Sequence, residues 1–491
     1  MTSARETRLQ EKFGPAYKWM AGFSVILGLL TAIFSSTMVN VALTDIMATF
    51  DITQASAQWM STAFLSASCV AMLTTAWLMN NFGARSTFLI AIAAFSIGSL
   101  IGWQSINYEI LVSARILQGI GAGILQPLSM SLIFMLFPAE MRGRAMGLFG
   151  MGVVIGPAMG PVIGGIITDS LDWHTTFAVV LPLALLAGLL GYLLLPDKSE
   201  NRPIARFNFQ SLILISACVA CLLSGLSNSQ FFPFSSLLVF PYLLIAAITL
   251  VLFLIRDVKS TNPLVQLALF KDPRICASAI IGALTSAGMF SSFYTIPLFS
   301  RTVQQTSATD AGLLLLPAGL LLVIVFPIVG RLIDRMPSYP LILIGQVTFV
   351  CSTVALSYAT ADTSFLYLAG WIIISRIGLG FIMPSNSTYS LSIVQAHQVP
   401  DASGALNFLR ILGGTIGVNL TALLITARSD FHLNEAMQVS GQQVLTEVDQ
   451  IRALTLVFED VFLVTASVFA LSLLPALYLT YSFLTATKKP R

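Results

Sequence analysis

The sequence predicts an all-α polytopic membrane protein with fourteen transmembrane helices, and three observations carry that prediction. The chain has 491 residues, of which 56% are hydrophobic and only 10% are charged, whereas a soluble domain carries about 25% charged residues. Apolar segments recur along the whole length, and about 20 apolar residues span the hydrocarbon of a bilayer. Lysine and arginine residues collect on one side of these segments. Lipid is therefore the expected solvent of this chain.

The predicted spans are separated by short polar stretches. The longest uncharged run, residues 207–255, divides at NSQFFPFSS, where polar residues and a proline suit a tight turn. The spans are expected near residues 19–43, 57–79, 86–105, 110–135, 145–168, 174–195, 209–228, 235–255, 275–299, 311–330, 339–360, 364–390, 402–427 and 459–485.

The distribution of positive charge predicts the orientation. If the N-terminus is cytoplasmic, 19 of the 25 Lys and Arg residues lie in cytoplasmic segments, three lie in external loops and three lie within spans. Such a bias is the positive-inside signal of membrane proteins. Both termini are therefore expected in the cytoplasm. Because the net charge of +3 reflects this bias, no nucleic-acid partner is expected.

The chain also repeats itself, which predicts its domain organisation. AWLMNNFGAR (76–85) and GRLIDRM (330–336) precede equivalent loops, and RILQG (115–119) and RIGLG (376–380) lie in equivalent spans. Internal repeats are typical of secondary transporters, with the substrate between them. The expected parts are a cytoplasmic N-terminus (1–18), a six-helix half (19–195), a linker region with inserted helices 7 and 8 (196–274), a second six-helix half (275–485) with an external loop (428–456), and a cytoplasmic tail (486–491).

The fifth span contains GPAMGPVIGG (156–165), a stretch rich in poor helix formers. Glycines recur every four residues at 152, 156, 160 and 164, so they line one face of a helix. Small residues at this spacing let two helix backbones approach closely in membranes, and prolines are expected to kink the helix. We expect a bent helix that slides against a partner from the other half; ordinary tight packing is the alternative. The motif comprises Gly152, Gly156, Pro157, Gly160, Pro161, Gly164 and Gly165.

Taken together, the motifs resemble a known family, the fourteen-span drug:H⁺ antiporters of the major facilitator superfamily, which are multidrug efflux permeases. The resemblance rests on TMVNVAL in the first span, QWMSTAFL (58–65), LVSARILQGIGAG (111–123), FPAEMRGRAMG (137–147), the fifth-span motif, AGLLLLPAGL (311–320) and GALNFLRILGGTIG (404–417). It covers nearly the whole chain. It implies export rather than import, by alternating access and with proton coupling.

The chain departs from that family where a proton acceptor is expected. The first-span signature ordinarily carries a carboxylate two residues before Thr37, and here Ser35 stands there. Asn80 likewise replaces the acid of the first signature loop. Protons are then expected to bind at Asp310 or at the Glu459–Asp460 pair, or to ride on a carboxyl group of the substrate.

Two further sets of residues are candidates for function. Polar residues within spans, with adaptable aromatic side chains around them, are expected to line the substrate cavity: Ser35, Ser36, Asn40, Gln118, Gln126, Phe290, Tyr294, Asn386 and Asn407. Charged residues are expected to serve coupling or gating, with Asp334 and Arg335 stabilising the outward-open state: Arg115, Arg376, Arg410, Asp310, Asp334 and Arg335. For the three arginines within spans, a structural role is the alternative.

The function predicted from the sequence is secondary active export of hydrophobic or amphipathic compounds across the plasma membrane, the inner membrane in a Gram-negative cell. The chain has no P-loop, so no nucleotide, other cofactor or metal is expected, and the chain is not expected to be an enzyme. A periplasmic adaptor protein stays open as a partner. Two alternatives remain: a dedicated exporter of an anionic metabolite, fatty acid or siderophore, and a transporter-like sensor or lipid-handling protein without ion coupling.

Overall fold

The computed structural model describes residues 4–39, 41–198, 205–230, 232–440 and 445–487. Within these ranges all regular structure is helical. The α-helices are α1 Ala4–Phe13, α2 Ala16–Met38, α3 Leu43–Phe50, α4 Gln54–Trp103, α5 Tyr108–Leu136, α6 Arg142–Ser170, α7 Thr175–Ala178, α8 Val180–Leu194, α9 Phe209–Asn228, α10 Phe240–Lys259, α11 Pro273–Thr302, α12 Ala308–Ile333, α13 Ser338–Ser357, α14 Phe365–Ser392, α15 Val399–Ser440, α16 Glu447–Leu471 and α17 Leu473–Thr487. Three short 3₁₀ helices cover Ala139–Met141, Leu267–Lys271 and Ala396–Gln398.

The predicted fold class is confirmed. Twelve helices of the described residues are long and apolar enough to cross a membrane. One of them, Trp59–Trp103, has 45 residues, which is twice the length that a span needs. The helix α6 adds a further segment, uncharged from Ala145 to Thr168. With the long helix counted as two spans, the helices of the described residues overlap all fourteen predicted spans, and the chain is a multi-pass membrane protein.

Polar side chains begin several of these helices. Asn107 caps α5 by accepting from the main-chain N–H of Ile110 at 2.9 Å, and Asp272 caps α11 in the same way. Ser307 and Thr446 cap α12 and α16. A cap satisfies one of the N–H groups that the first turn of a helix leaves without a partner. Lipid offers no hydrogen bonds to such groups, so these caps fix where a helix can start.

The chain forms two compact units. The first comprises Met1–Ser224, Pro241–Lys271 and Leu391–Phe408, and the second comprises Gly225–Phe240, Asp272–Ser390 and Leu409–Arg491. The first unit thus holds more than residues 19–195, because the start of α15 packs on α4 and α5. Gly404 of α15, for example, lies so close to α4 that an added Cβ would be 2.9 Å from the carbonyl oxygen of Met72.

Small residues set the packing of the first unit. A Cβ added to Gly119 or Gly123 of α5 would overlap the backbone of Phe64 or Ser68, in the arm of α4 before its central break. Gly121 faces Ala91 and Phe95, in the arm after it. The helix α5 therefore lies against both arms at backbone distance, as small residues permit in membranes.

Small residues have the same role in the second unit. Cβ atoms added to Gly413 and Gly417 of α15 would lie within 2.9 Å of Ala283 and Ala287 of α11. Gly345 of α13 similarly faces α14. Backbone-to-backbone contact therefore recurs in both units, although each unit builds it from different helices.

One segment differs from its prediction. Residues 428–456 were expected to be a polar external loop, but α15 continues to Ser440 and α16 begins at Glu447. The reason is local: LNEAMQ is made mostly of good helix formers, and Asp460 of α16 accepts from Arg428 at 2.6 Å and lies 2.8 Å from His432 Nε2. These contacts tie the two helix extensions to one another.

The linker after α8 is attached to the break in α4. Ala205 accepts a hydrogen bond from Trp77 Nε1 at 2.9 Å and donates its N–H to Asn81 Oδ1 at 2.8 Å. Asp197 receives a hydrogen bond from Arg85 at 2.8 Å. Asn81, the residue after Asn80, thus holds the linker by its backbone.

Gly83 makes the break in α4 possible. Its φ of 82° and ψ of 168° lie in a region that only glycine adopts readily, and an added Cβ would be 2.9 Å from the main-chain N of Lys198. We predict that Gly83→Ala lowers stability by about 1–3 kcal/mol, measured as a lower apparent melting temperature of the purified protein in detergent.

The matched control for this variant is Gly370→Ala. Gly370 lies within α14, and nothing is within 4 Å of its added Cβ. Alanine in a helix interior stabilises by about 0.5–1 kcal/mol relative to glycine, so the control should melt at the same or a slightly higher temperature. Equal melting temperatures for Gly83→Ala and the wild type would contradict the prediction.

Candidate substrate and coupling site

Arg115 is the centre of a buried polar cluster in the first unit. It lies on α5 with 1% of its surface exposed. Its Nη1 donates to Gln118 Oε1 at 3.0 Å and, more weakly, to the carbonyl oxygen of Ser35 at 3.4 Å. Its guanidinium carbon lies 4.2 Å from the centre of the Phe64 ring. Three predicted residues, Ser35, Arg115 and Gln118, are therefore brought together.

Neutral groups hold this cation. Within the described residues no carboxylate lies within salt-bridge distance of Arg115. Placing an arginine in a span costs about 2.5–3.5 kcal/mol on insertion scales. A hydrogen bond to a charged group contributes about 1.5–3 kcal/mol, and a desolvated cation–π contact about 2 kcal/mol. The observed contacts are therefore sufficient to offset the cost without a counterion.

A second layer fixes the amide that holds Arg115. Gln118 Nε2 donates to Ser99 Oγ at 2.8 Å, and Ser99 donates to the carbonyl of Phe95 at 2.9 Å. The amide is thus oriented with its oxygen toward the guanidinium. By contrast, the hydroxyl of Ser35 is buried without a partner, and Arg115 Nε is likewise unpaired.

The remaining predicted cavity residues of the first unit that the structure describes lie on α2, α5 and α15. Ser36 donates to the carbonyl of its own helix at Ile33, Gln126 is buried on α5, and Asn40 lies outside the described residues. Asn407, at the start of α15, donates to the carbonyl of Ser403 at 2.8 Å and to Met130 Sδ at 3.0 Å.

The glycine stripe of α6 packs against α2. The carbonyl oxygen of Gly156 accepts from Thr37 Oγ1 at 3.3 Å. A Cβ at Gly156 would overlap Ile33, one at Gly160 would overlap Thr37, and one at Gly164 would lie 3.0 Å from the main chain of Met38. Gly152 and Gly165 have more space. The helix is continuous through both prolines; the side chains of Pro157 and Pro161 lie outside the described part.

The expected partner of the stripe was wrong. We expected a helix from the other half, but the closest atoms belong to α2, a helix of the same unit. The spacing of glycines identifies the flat face of a helix but carries no information about which neighbour covers that face. The contact therefore joins the span that carries Ser35 to the span that carries the motif.

The second unit contains its own buried arginine. Arg376 on α14 is 1% exposed, donates to Ser292 Oγ at 2.9 Å and lies 4.4 Å from the centre of the Phe293 ring. Arg410 is half-buried on α15. The guanidinium of Arg376 thus also rests on a neutral acceptor and a phenylalanine.

The other candidates of the second unit lie along α11 and α14. Phe290 fills the space beside Gly414 of α15, and Tyr294 is 41% exposed. Asn386 donates to the carbonyl of Ser278 at 2.9 Å, and its Oδ1 is buried without a partner. These residues therefore lie at different levels of the helices and do not form one cluster.

The acids proposed for coupling are already engaged in the structure. Asp310 is exposed and accepts from Ser307 at 2.7 Å at the start of α12. Asp460 is bound by Arg428 and His432. Asp334 caps the end of α12 and Arg335 is exposed, so their proposed role in gating stays a prediction.

Sequence reasoning missed Asp401. This residue lies in the first turn of α15, and its Oδ2 atom is shielded from solvent without a hydrogen-bond partner. Two residues later, Ser403 shares a short hydrogen bond with the hydroxyl of Ser131 and donates to the carbonyl of Pro127. The available signal was an acid placed directly before a predicted span. An unpaired carboxylate away from water binds a proton more readily than an exposed one.

The helices of the described residues define a multi-pass membrane protein. Residues 25–418 match the family model described as Major Facilitator Superfamily, and the chain belongs to that superfamily.

Relatives and a solved structure agree with this assignment. An uncharacterized MFS-type transporter, YcnB, of Bacillus subtilis (strain 168) is 30% identical over 412 residues, which cover 83% of this chain and 86% of its own. The tetracenomycin C resistance and export protein of Streptomyces glaucescens is 26% identical over 411 residues, which cover 84% and 76%. The crystal structure of the human organic anion transporter MFSD10 (TETRAN) has a similar fold, with a TM-score of 0.65 at 14% identity over 94% of this chain and 99% of that one.

The contact between α2 and α6 gives a testable prediction. Gly160→Leu should abolish transport while leaving the protein inserted in the membrane, because the side chain would separate the two helices and overpacking costs about 1–3 kcal/mol. Transport is measured in everted vesicles and insertion by surface labelling. The control is Gly165→Ala, whose added Cβ would lie 3.8 Å from Val41 and should be tolerated. Normal transport by Gly160→Leu would show that the contact has no role in function.

Proposed function

We propose that this protein is a proton-coupled secondary active exporter of hydrophobic or amphipathic compounds. It acts by alternating access in the plasma membrane of a bacterial cell, the inner membrane in a Gram-negative one, with both termini in the cytoplasm. The observation that carries the proposal is the glycine-lined contact between α2 and α6, which is built from the span motif that resembles exporters. The name of the Streptomyces glaucescens relative, a resistance and export protein, supports the direction of transport.

The substrate is expected to meet polar groups set among apolar ones. In the first unit Arg115 and Gln118 supply a buried donor and an amide, and Phe64 supplies an aromatic face. In the second unit Phe290 and Tyr294 supply aromatic surface. Side chains of these kinds accept many apolar shapes and fix few polar contacts, which suits a transporter of chemically varied compounds.

Asp401 is the group that we propose to bind the driving proton. Ser35 and Asn80 remove two usual positions for an acid, and Asp310 and Asp460 already accept hydrogen bonds. The packing of α15 against α4 and α5 places Asp401 partly away from water. The ionised carboxylate opposes this packing because a buried, unpaired charge is costly, whereas the protonated form permits it. Proton binding would thus favour association of this end of α15 with α4 and α5.

Everted membrane vesicles test the export proposal. A pH gradient is imposed, and a panel of amphipathic compounds is screened for uptake with and without that gradient. Uptake that consumes the gradient is the expected result. Uptake that is independent of the gradient would contradict proton coupling but would still support export. An absence of uptake for all compounds, with the protein present in the membrane, would favour the sensor or lipid-handling alternative.

Asp401→Asn separates coupling from binding. The neutral side chain keeps the shape but cannot release a proton, so we expect loss of gradient-driven uptake, by about tenfold or more, with substrate exchange at equal pH retained. The matched control is Asp45→Asn, an exposed acid in the first turn of α3, which should behave as the wild type. Full gradient-driven uptake by Asp401→Asn would place the proton site elsewhere.

A second candidate function, export of an anionic amphiphile such as a fatty acid or another anionic metabolite, is favoured by the unpaired charge of Arg115. A cation without a counterion attracts anions and repels permanently cationic compounds. The carboxyl group of such a substrate could also carry the proton.

Ser35→Asp tests this electrostatic argument. The new carboxylate would lie on α2 beside the guanidinium of Arg115, which already contacts the carbonyl of residue 35. We expect the variant to improve export of a cationic compound relative to an anionic compound of similar size; the ratio of the two uptake rates is the measurement. The charge argument fails if the wild type already prefers the cation and the variant leaves that ratio unchanged.

A further inference from the structure

A small cavity lies within the second unit, between α11, α13, α14 and α16. Six of its ten lining residues carry a hydroxyl group, although most of the lining surface is apolar. The lining residues are Ser291, Ser292, Thr295, Ile296, Phe349, Thr353, Leu356, Ser375, Phe462 and Thr465. Because lipid offers no hydrogen bonds, each polar group in a span must find its partner inside the protein, so the partners of these six hydroxyls decide what the cavity can bind.

Some of these hydroxyls are satisfied by their own helices. Thr353 donates to the carbonyl of Phe349 at 2.8 Å, Ser375 to that of Ile372 at 2.7 Å and Thr465 to that of Val461 at 2.7 Å. These residues form a neutral, polar wall.

The hydroxyls of α11 differ because they leave donors free. Thr295 is 2% exposed, and its Oγ1 has no partner. Ser291 Oγ accepts from Thr421 at 2.8 Å, which leaves its own proton for another acceptor. A buried hydroxyl without a partner is unfavourable, so an acceptor in the cavity would satisfy both groups.

A positive charge stands at the edge of the same cavity. Arg376 Nη1 donates to Ser292, which lines the cavity, and the residue before Arg376, Ser375, lines it too. Arg376 Nη2 is buried and has no partner. In the described residues no carboxylate lies within salt-bridge distance of Arg376, and the lining carries no charged side chain. The free donors and the uncompensated cation therefore both favour a negatively charged ligand.

We propose that this cavity binds a compact monovalent anion, of the size of a halide or a terminal carboxylate group. The anion would accept from Thr295 and Ser291 and would neutralise Arg376, which otherwise stays charged in a low-dielectric environment. A divalent anion would bring one negative charge more than Arg376 can neutralise, and a buried, unpaired charge is costly. The source in a cell is chloride or the carboxylate of an organic compound, and the two are distinguished below.

Thermal unfolding of the purified full-length protein in detergent tests the proposal. Chloride replaces gluconate at constant ionic strength, so that general screening does not change. A ligand that binds the folded state raises the melting temperature in proportion to the logarithm of its concentration once its sites are nearly filled. We expect chloride and bromide to raise it and sulfate to have no effect. An absence of response to every monovalent anion would show that the cavity holds only water and would overturn the proposal.

Two variants locate the effect. Thr295→Val removes the free hydroxyl with almost no change in shape, and should weaken the apparent affinity for chloride by about tenfold or more. Arg376→Gln should abolish the response; if that variant does not fold, Thr295→Val decides. The control is Ser352→Ala, because Ser352 is buried on α13 next to the cavity wall but donates to its own helix at Phe349. A full response in Thr295→Val would place the anion elsewhere and contradict the proposal.

A further arm distinguishes the source of the anion. Formate and acetate are titrated in the same way, in the wild type and in Thr295→Val. If they stabilise the protein more strongly than chloride and Thr295→Val removes that effect, the ligand is a carboxylate of an organic compound. If only halides act, the ligand is an inorganic ion. The measurement uses binding alone, so it is independent of whether the protein exports anything.

Discussion

The structure depends on the inability of lipid to form hydrogen bonds. Each main-chain group within a span must be satisfied inside the protein, and this is why the described chain is helical. The same constraint governs the side chains: Thr31, Ser129 and many other hydroxyl residues donate to carbonyls of their own helices. Because lipid also removes the hydrophobic force between helices, close contact has to come from small residues. Gly121 against α4 and Gly413 against α11 provide that contact in the two units.

The two buried arginines follow from this constraint in a less obvious way. Arg115 and Arg376 have the same environment, a neutral oxygen acceptor and a phenylalanine ring near 4 Å, although different residues provide it. The sequence repeat of RILQG and RIGLG thus corresponds to a repeated way of holding a cation. A neutral environment leaves the charge uncompensated, and such a charge can respond to any anion that reaches it. A carboxylate partner would have removed this property.

Much of the fold was predictable, because lipid makes the sequence signal simple. The length and apolarity of the segments predicted the spans, and the positions of Arg115 and Arg376 within spans predicted the buried cations. The neighbours of each residue were not predictable: the spacing of Gly156 and Gly160 defines a face, but that face could meet any helix. The burial of Asp401 could not be predicted, because it depends on which helices α15 packs against. The hydroxyls around Thr295 resemble ordinary span residues until the surrounding helices are known.

The break at Gly83 has a consequence for engineering. Before the break, later residues of α4 meet later residues of α5: Phe64 lies beside Gly119, and Ser68 lies beside Gly123. After the break the order is reversed, and later residues of α4 meet earlier residues of α5. The chain therefore reverses direction at Gly83, and no loop of spare residues connects the two spans. A tag or a reporter domain inserted there would change the direction of the third span and detach the linker at Ala205. The connection between α15 and α16 joins two helices that Asp460 already links through Arg428 and His432, so it is the better site for an insertion.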